Sequence, residues 1–386
     1  MLGLLFRNHI GVPLENKMDQ LRGCLEQMLD HSNFELLSVT CDDLGYKTPN
    51  FTTAGIYHLH GIVNVNKEEQ PWSIILKVIK PDSVEKDDPL HHNYWRREAL
   101  VIESSILNEL PESIRTAKSY LVEEQQDGTV WIWMERVAGE HANSQDHFTF
   151  IARQLGRFNG TYLNGKSLPN EEWICKGWLR SWTTGCKMYA PKSESYLKQL
   201  QKENERNIWT WFQEFTGQID EHLASLEQLP RVLAHQDLSP MNMLIVKQSD
   251  GTDQVVLIDW QFMSISGVGE DLGKMFGVSM SLGIVPPTQY GSFKQSLFEA
   301  YILGLKDTGW QGDERLARYG YYLSSALRCE WEVPKYFSLV EKLENGSQNA
   351  ELLDEVEHLE AIINMQRVMA KDAESLKTRS IFPKGM

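Results

Sequence analysis

The octapeptide HQDLSPMN at residues 235–242, with the aspartate at 259 that closes the apolar run VVLID, sets the chemistry that the rest of this 386-residue chain has to support. A phosphoryl group moves through a loose transition state. A protein that moves one mainly positions donor and acceptor and neutralises charge on the phosphate oxygens. Such a site needs a base for a hydroxyl proton and oxygen ligands for magnesium. Asp237 is placed to be the base. Five residues on, the Asn242 amide oxygen can bind a hard cation, and Asp259 can add the carboxylate that such a cation prefers. Two short apolar runs, MLIV at 243–246 and VVLI at 255–258, flank KQSDGTDQ with its Asp250-Gly251 turn signal. This pattern predicts a hairpin that returns the second metal ligand to the first.

HxDxxxxN alone can arise by accident; followed by a hairpin that ends in an aspartate, it stands in the context that its chemistry requires. The set resembles the aminoglycoside phosphotransferase and choline kinase-like family of small-molecule kinases, which share the two-lobed protein kinase fold. His235, Asp237 and Asn242 match that family's catalytic loop, and Asp259 its second magnesium ligand. The resemblance implies ATP as phosphoryl donor, Mg2+ as cofactor and a small-molecule hydroxyl as acceptor. Gln236 stands where a protein kinase usually has Arg, Ser239 where a serine/threonine kinase has Lys, and Trp260-Gln261 where it has Phe-Gly. Pro240 in the loop also suits the small-molecule group. These departures, and the lack of a recognisable APE-like anchor, count against a protein substrate. A protein kinase and a nucleotide-binding pseudokinase stand as the alternatives.

A kinase also needs a lysine on a strand to hold the nucleotide phosphates, and WSIILKVIK at 72–80 is the best strand in the first third of the chain. Ile75, Lys77 and Ile79 share a face. A charge between two aliphatics on a buried face is expensive unless paired, which favours Lys77 over Lys80, the neighbour of Pro81. A helix is expected over 94–110 to supply the partner. Glu98 matches the paired glutamate of the resembled family, and Glu103 is the other candidate.

No GxGxxG precedes that strand. A polar loop takes its place, with Asn50, Thr52, Thr53 and Gly55 able to cap phosphates; an ordinary turn whose polar groups only satisfy the backbone explains them equally. The run TVWIWMERVAGE at 129–140 resembles the segment linking the lobes, where the backbone of Glu135 and Val137 would face adenine. Beyond residue 140 the apolar spacing is helical, first in FTFIARQLGRFNGTYL and last in LLDEVEHLEAIINM, before a basic, proline-containing tail. Glu270 and Asp271 suit the first turn of a helix. By resemblance, Asp271 would also anchor the catalytic loop.

The whole is expected to be a bilobal, protein kinase-like α+β fold. Residues 1–138 form a nucleotide-binding lobe with an antiparallel sheet and one helix, and 139–386 a larger, mainly helical lobe. With 53 acidic against 38 basic residues the net charge is −15, which disfavours nucleic acid and anionic membranes as partners. Five cysteines show no zinc-site spacing, MLGLLF is too short for a signal peptide, and no run reaches membrane-helix length. These features predict a cytoplasmic protein. An aminoglycoside-like or other cationic acceptor is suggested by Trp173, Trp178, Trp182, Trp209 and Trp211, since tryptophan faces attract amines, although core packing explains such residues more simply. Glu171, Glu172, Glu330 and Glu332 can complement ammonium groups, but each is individually expected on the solvated surface.

Overall fold

Strand alternation organises the first third of the chain. The strands are β1 (Leu5–Asn8), β2 (Phe34–Asp43), β3 (Thr53–Val65), β4 (Glu68–Ile79), β5 (Ile114–Thr116), β6 (Ser119–Glu124) and β7 (Val130–Glu135). All but β5 join one sheet in the order β1-β2-β3-β4-β7-β6, antiparallel except for the parallel β1–β2 pair. Along β4, Trp72, Ile74, Leu76 and Val78 point to one face and Ser73, Ile75, Lys77 and Ile79 to the other. The first face is closed by α1 (Met18–Leu29), whose Leu21, Cys24 and Leu25 recur at helical spacing and pack with Val39, Leu59, Val63, Leu76 and Trp133. The second face carries the functional lysine candidate.

The computed structural model describes residues 5–8, 14–45, 52–200, 202–346 and 349–378. Asn50 and the basic tail lie outside the described residues. The chain divides into two compact units. One comprises Met1–Glu140 and Val246–Gln261, the other His141–Ile245 and Phe262–Met386. The break expected after residue 138 takes no account of the return of 246–261 to the first unit. Its physical cause is β11 (Asp253–Leu257), which pairs in parallel with β5, Val255 opposite Ile114. The helix expected over 94–110 is also shorter. α2 spans only Arg97–Glu103, since Ser104 is extended and its hydroxyl donates back to the Val101 carbonyl at 2.7 Å.

The second unit is mainly helical. β8 (Glu140–His141) spans the boundary, and the second unit continues through α3 (Gln145–Leu163), α4 (Trp178–Tyr189), α5 (Glu194–Leu197), α6 (Glu203–Gly217) and α7 (Ile219–Glu227). Then come β9 (Arg231–Ala234), β10 (Met243–Lys247, its last two residues already in the first unit), β12 (Ser264–Gly267), α8 (Glu270–Ser281), α9 (Tyr290–Asp307), α10 (Glu314–Leu327), α11 (Cys329–Glu344) and α12 (Ala350–Thr378). Ser144 caps α3 by accepting from the His147 N–H at 3.2 Å. β9 and β12 pair antiparallel, Ala234 opposite Ser264, which fixes the start of the HQDLSPMN loop. A turn in which the Gln248 N–H donates to the Thr252 carbonyl at 2.8 Å joins β10 to β11, as the Asp250-Gly251 signal predicts. The architecture is α+β. The five cysteines are free and buried, and no helix among the described residues is long and apolar enough to cross a membrane.

Candidate active site

In the first unit, the Lys77 ammonium lies 2.5 Å from Glu98 Oε2 and 3.0 Å from Asp259 Oδ1. Only 6% of the lysine side chain is exposed, so its charge persists because it is paired on two sides. Burial works against that charge, yet Asp259 and Glu98 outweigh it and hold the Lys77 pKa above its ordinary value. Burial pushes the Glu98 carboxyl up. Glu98 faces Lys77 from the first turn of α2, whereas Glu103 ends that helix exposed. Asp259 sits just past β11 at φ 62°, a left-handed conformation that Asp tolerates better than most residues.

Sequence reasoning missed the brace around this trio. The fully buried Arg97 donates to the carbonyls of Pro89, His91, His92 and Gln261, at 2.7 to 3.0 Å. It thereby ties the segment before α2 to the residues that follow Asp259. Gln261 in turn donates to the Thr52 hydroxyl at 2.9 Å and to Asn93 Oδ1. The only signal was an arginine adjacent to the glutamate.

In the second unit, Asp237 Oδ1 meets the Lys274 ammonium of α8 at 2.8 Å, and its Oδ2 accepts from Asn242 Nδ2, also at 2.8 Å. Burial tends to raise the Asp237 pKa, but Lys274, His235 and Asn242 outweigh it and the carboxyl is held below its usual range. Lys274 moves down, chiefly through burial. His235 is buried, and its Nδ1 accepts from the Asp237 N–H at 3.2 Å, a loop-supporting bond. Asp271 accepts the N–H of His235 at 2.9 Å and that of Gln236 at 2.7 Å, the latter residue at φ 61°. The first turn of α8 therefore clamps the loop at its strained residue. Lys274 went unread because it belongs to no motif; it faces Asp237 from one helical turn beyond Asp271.

The donor set suits a hard cation. Asn242 Nδ2 also donates to the Asp237 carbonyl at 3.0 Å, which leaves the amide oxygen as the end to offer a metal. Asp259 has a second carboxylate oxygen beyond the one at Lys77. Each oxygen fits magnesium within its own unit.

Of the other nucleotide candidates, Thr53 and Glu135 lie on the strands that flank β4, opposite Ile79 and Ile74. Glu135 ends β7 with its side chain bidentate to Arg115 at 2.7 and 2.9 Å, and its N–H donates to the Lys118 carbonyl. Val137 follows, half-buried, in the segment after that strand. Thr52 is wholly buried and its hydroxyl receives Gln261, which fits an ordinary turn better than a phosphate cap. The buried Thr53 hydroxyl has no hydrogen-bond partner among the described residues. At Gly55 a Cβ would collide with the Tyr57 ring.

Two expectations about the acceptor side change. Glu330 and Glu332 are buried, at 4% and 7% exposure, because both turn inward at the start of α11 while Trp331 between them faces out. Burial raises both carboxyls; Glu330 Oε1 and Glu332 Oε2 have no hydrogen-bond partner among the described residues. The tryptophans separate into groups. Trp178 stacks on Trp182 at 6.0 Å with the Arg328 guanidinium 5.1 Å over Trp182, whereas Trp209 packs on Phe337 and Trp211 on Phe215.

Residues 90–312 match the model of the phosphotransferase enzyme family. A search of curated proteins returned no match. Among solved structures, amicoumacin kinase hAmiN in complex with AMP-PNP, Ca2+ and Ami shares the fold at TM-score 0.50 and 15% identity, over 90% of this chain and 95% of that one. A choline/ethanolamine kinase family protein from Mesorhizobium loti is similar at TM-score 0.47 and 12% identity, covering 94% and 99% of the two chains. Choline kinase LicA from Streptococcus pneumoniae follows at 0.45 and 15%, covering 93% and 99%. By its likeness to the amicoumacin kinase, the α+β architecture is a kinase-like fold.

Proposed function

Because the chain belongs to the phosphotransferase enzyme family, we propose that it transfers the γ-phosphoryl group of ATP to a hydroxyl of a small molecule, with Asp237 as the base. The observation that carries this is the Asp237 carboxylate held between Lys274 and Asn242, ionised and fixed in direction. The acceptor oxygen bonds to the γ-phosphorus, the bond from that phosphorus to the β–γ bridging oxygen breaks, and the hydroxyl proton passes to Asp237. Lys77 neutralises phosphate charge and Glu98 orients it, while His235 supports the loop. Asn242 and Asp259 would each offer an oxygen to magnesium, which would supply positive charge at the phosphate oxygens. For adenine, the Glu135 N–H is already committed to Lys118, so the reading narrows to the Glu135 carbonyl and the Val137 backbone.

Asp237→Ala is expected to abolish ADP formation with acceptor while circular dichroism and melting stay those of a folded protein. Full activity in that variant would remove Asp237 from the role. A pseudokinase would bind ATP with magnesium and release no ADP with any alcohol. A protein kinase would label the protein fraction of a cell extract rather than its small molecules.

The buried pair Glu330 and Glu332 favours an acceptor that carries an ammonium group. Both carboxyls lie close enough to Cys186 to add to the burial that pushes its thiol up to about 12, and Glu332 also acts on Lys274 at Asp237. Glu330 Oε1 and Glu332 Oε2, each without a hydrogen-bond partner among the described residues, are suited to receiving a cation. A panel of aminoglycosides, choline, macrolides, sugars and homoserine tests this, with Glu332→Gln as the discriminating variant. Its KM should rise about tenfold or more for an amine-bearing acceptor and hold for an uncharged one. Equal KM values for both would remove the glutamate from recognition.

A further inference from the structure

We propose that Asp42, His58 and His60 form a site for a divalent transition metal of the zinc type, on the first unit's sheet and distinct in chemistry from the magnesium ligands. His58 and His60 lie two apart on β3 and therefore on one face, where their rings stack with centroids 4.5 Å apart. Asp42 on β2 stands directly across from His58 in the strand register. The ligand atoms of all three fall within 4.8 Å of one another, and His60 Nε2 already contacts Asp42 Oδ2 at 2.9 Å.

Zinc bonds to nitrogen and oxygen at about 2.0–2.2 Å, which sets tetrahedral ligands roughly 3.3 Å apart. Side-chain rotation of about an ångström closes the trio to that spacing. Two imidazoles on alternate residues of a strand act as a chelate, since the sheet fixes their separation before any metal arrives. All three side chains are partly exposed, so a metal has an entry path and a water can complete the shell. The Ser73 hydroxyl, 2.8 Å from His58 Nε2, is placed to orient that ring. Arg136, whose charge acts on His58, weakens binding without removing the donors.

Imidazole nitrogen is a poor ligand for magnesium and a good one for zinc, copper or nickel. The inference does not depend on the phosphotransferase reading, because no residue is shared.

Titration calorimetry of the full chain with ZnCl2, without nucleotide, is expected to show one site per chain that millimolar MgCl2 does not displace. His60→Ala and His58→Ala should each weaken it at least about tenfold, the scale that even outer-shell partners of a metal carry. Unchanged zinc affinity in His60→Ala, or displacement by magnesium, would overturn the proposal. If the alanine variants fail to fold, electron paramagnetic resonance of the wild-type protein with one equivalent of Cu2+ decides. Coupling to two imidazole nitrogens supports the site, and its absence overturns it.

Discussion

Two neighbouring acids, Glu270 and Asp271, do different work with the same functional group. Asp271 accepts two backbone N–H groups and so fixes the loop that carries Asp237. Glu270 accepts the Gly267 N–H at 2.6 Å, with Arg231 3.8 Å away, and burial pushes its carboxyl up to about 7. A carboxyl whose pKa is higher folded than unfolded binds more protons in the native state. Its favourable contribution is full below the unfolded pKa and is lost as pH rises through the folded one. Between about pH 4.5 and 7, Glu270 should therefore cost the protein stability as pH rises, by up to about 3 kcal/mol for a shift of this size. Glu270→Gln keeps the acceptor for Gly267 and removes the titration. Denaturant melts at pH 5 and pH 8 should show a smaller loss of stability in the variant than in wild type; parallel losses would remove Glu270 as a source. At this scale the sequence marked Asp271 as a helix-start acid and only the family resemblance named it as the loop's anchor; neither pointed to Lys274, Arg97 or Gln261. Lys274 and Gln261 act through partners far away in the chain, and Arg97 joins nearby carbonyls to that of the distant Gln261; no local spacing encodes such partners.

Elements followed periodicity well where one face of a helix or strand meets one neighbour. α3 and β4 lie where their apolar spacing put them. The helix over 94–110 was overestimated because Ser104 competes for the backbone. Helix contact distance was invisible in sequence. α3 and α9 pack through two glycines: a Cβ on Gly304 would lie 2.0 Å from the Arg153 carbonyl, and one on Gly156 2.1 Å from that of Tyr301. Gly304→Ala should force the helices apart and destabilise the protein by about 1–3 kcal/mol, despite alanine's better helix propensity. Gly23→Ala in α1, where a Cβ meets nothing within 4 Å, should instead stabilise by roughly 1 kcal/mol. Paired chemical denaturation of the two variants checks both; equal effects would remove the contact explanation.

For the whole molecule, the sequence by itself determined the fold class and the chemical inventory. Alternation and helical spacing are local properties of side chains, and Asp237, Asn242 and Asp259, the residues proposed as base and metal ligands, stand in order along the chain. Tertiary structure decided where each acquired its charge environment. It returned residues 246–261 to the first unit, and so brought Asp259 to Lys77 through the pairing of β11 with β5. It also turned Glu330 and Glu332 inward, against the expectation of a solvated surface. Whether a glutamate meets water or protein depends on which face of α11 its neighbours cover, and that is set by packing between segments distant in sequence. Periodicity reports which side of an element is apolar; only the assembled neighbours fix what a charged group on either side will face.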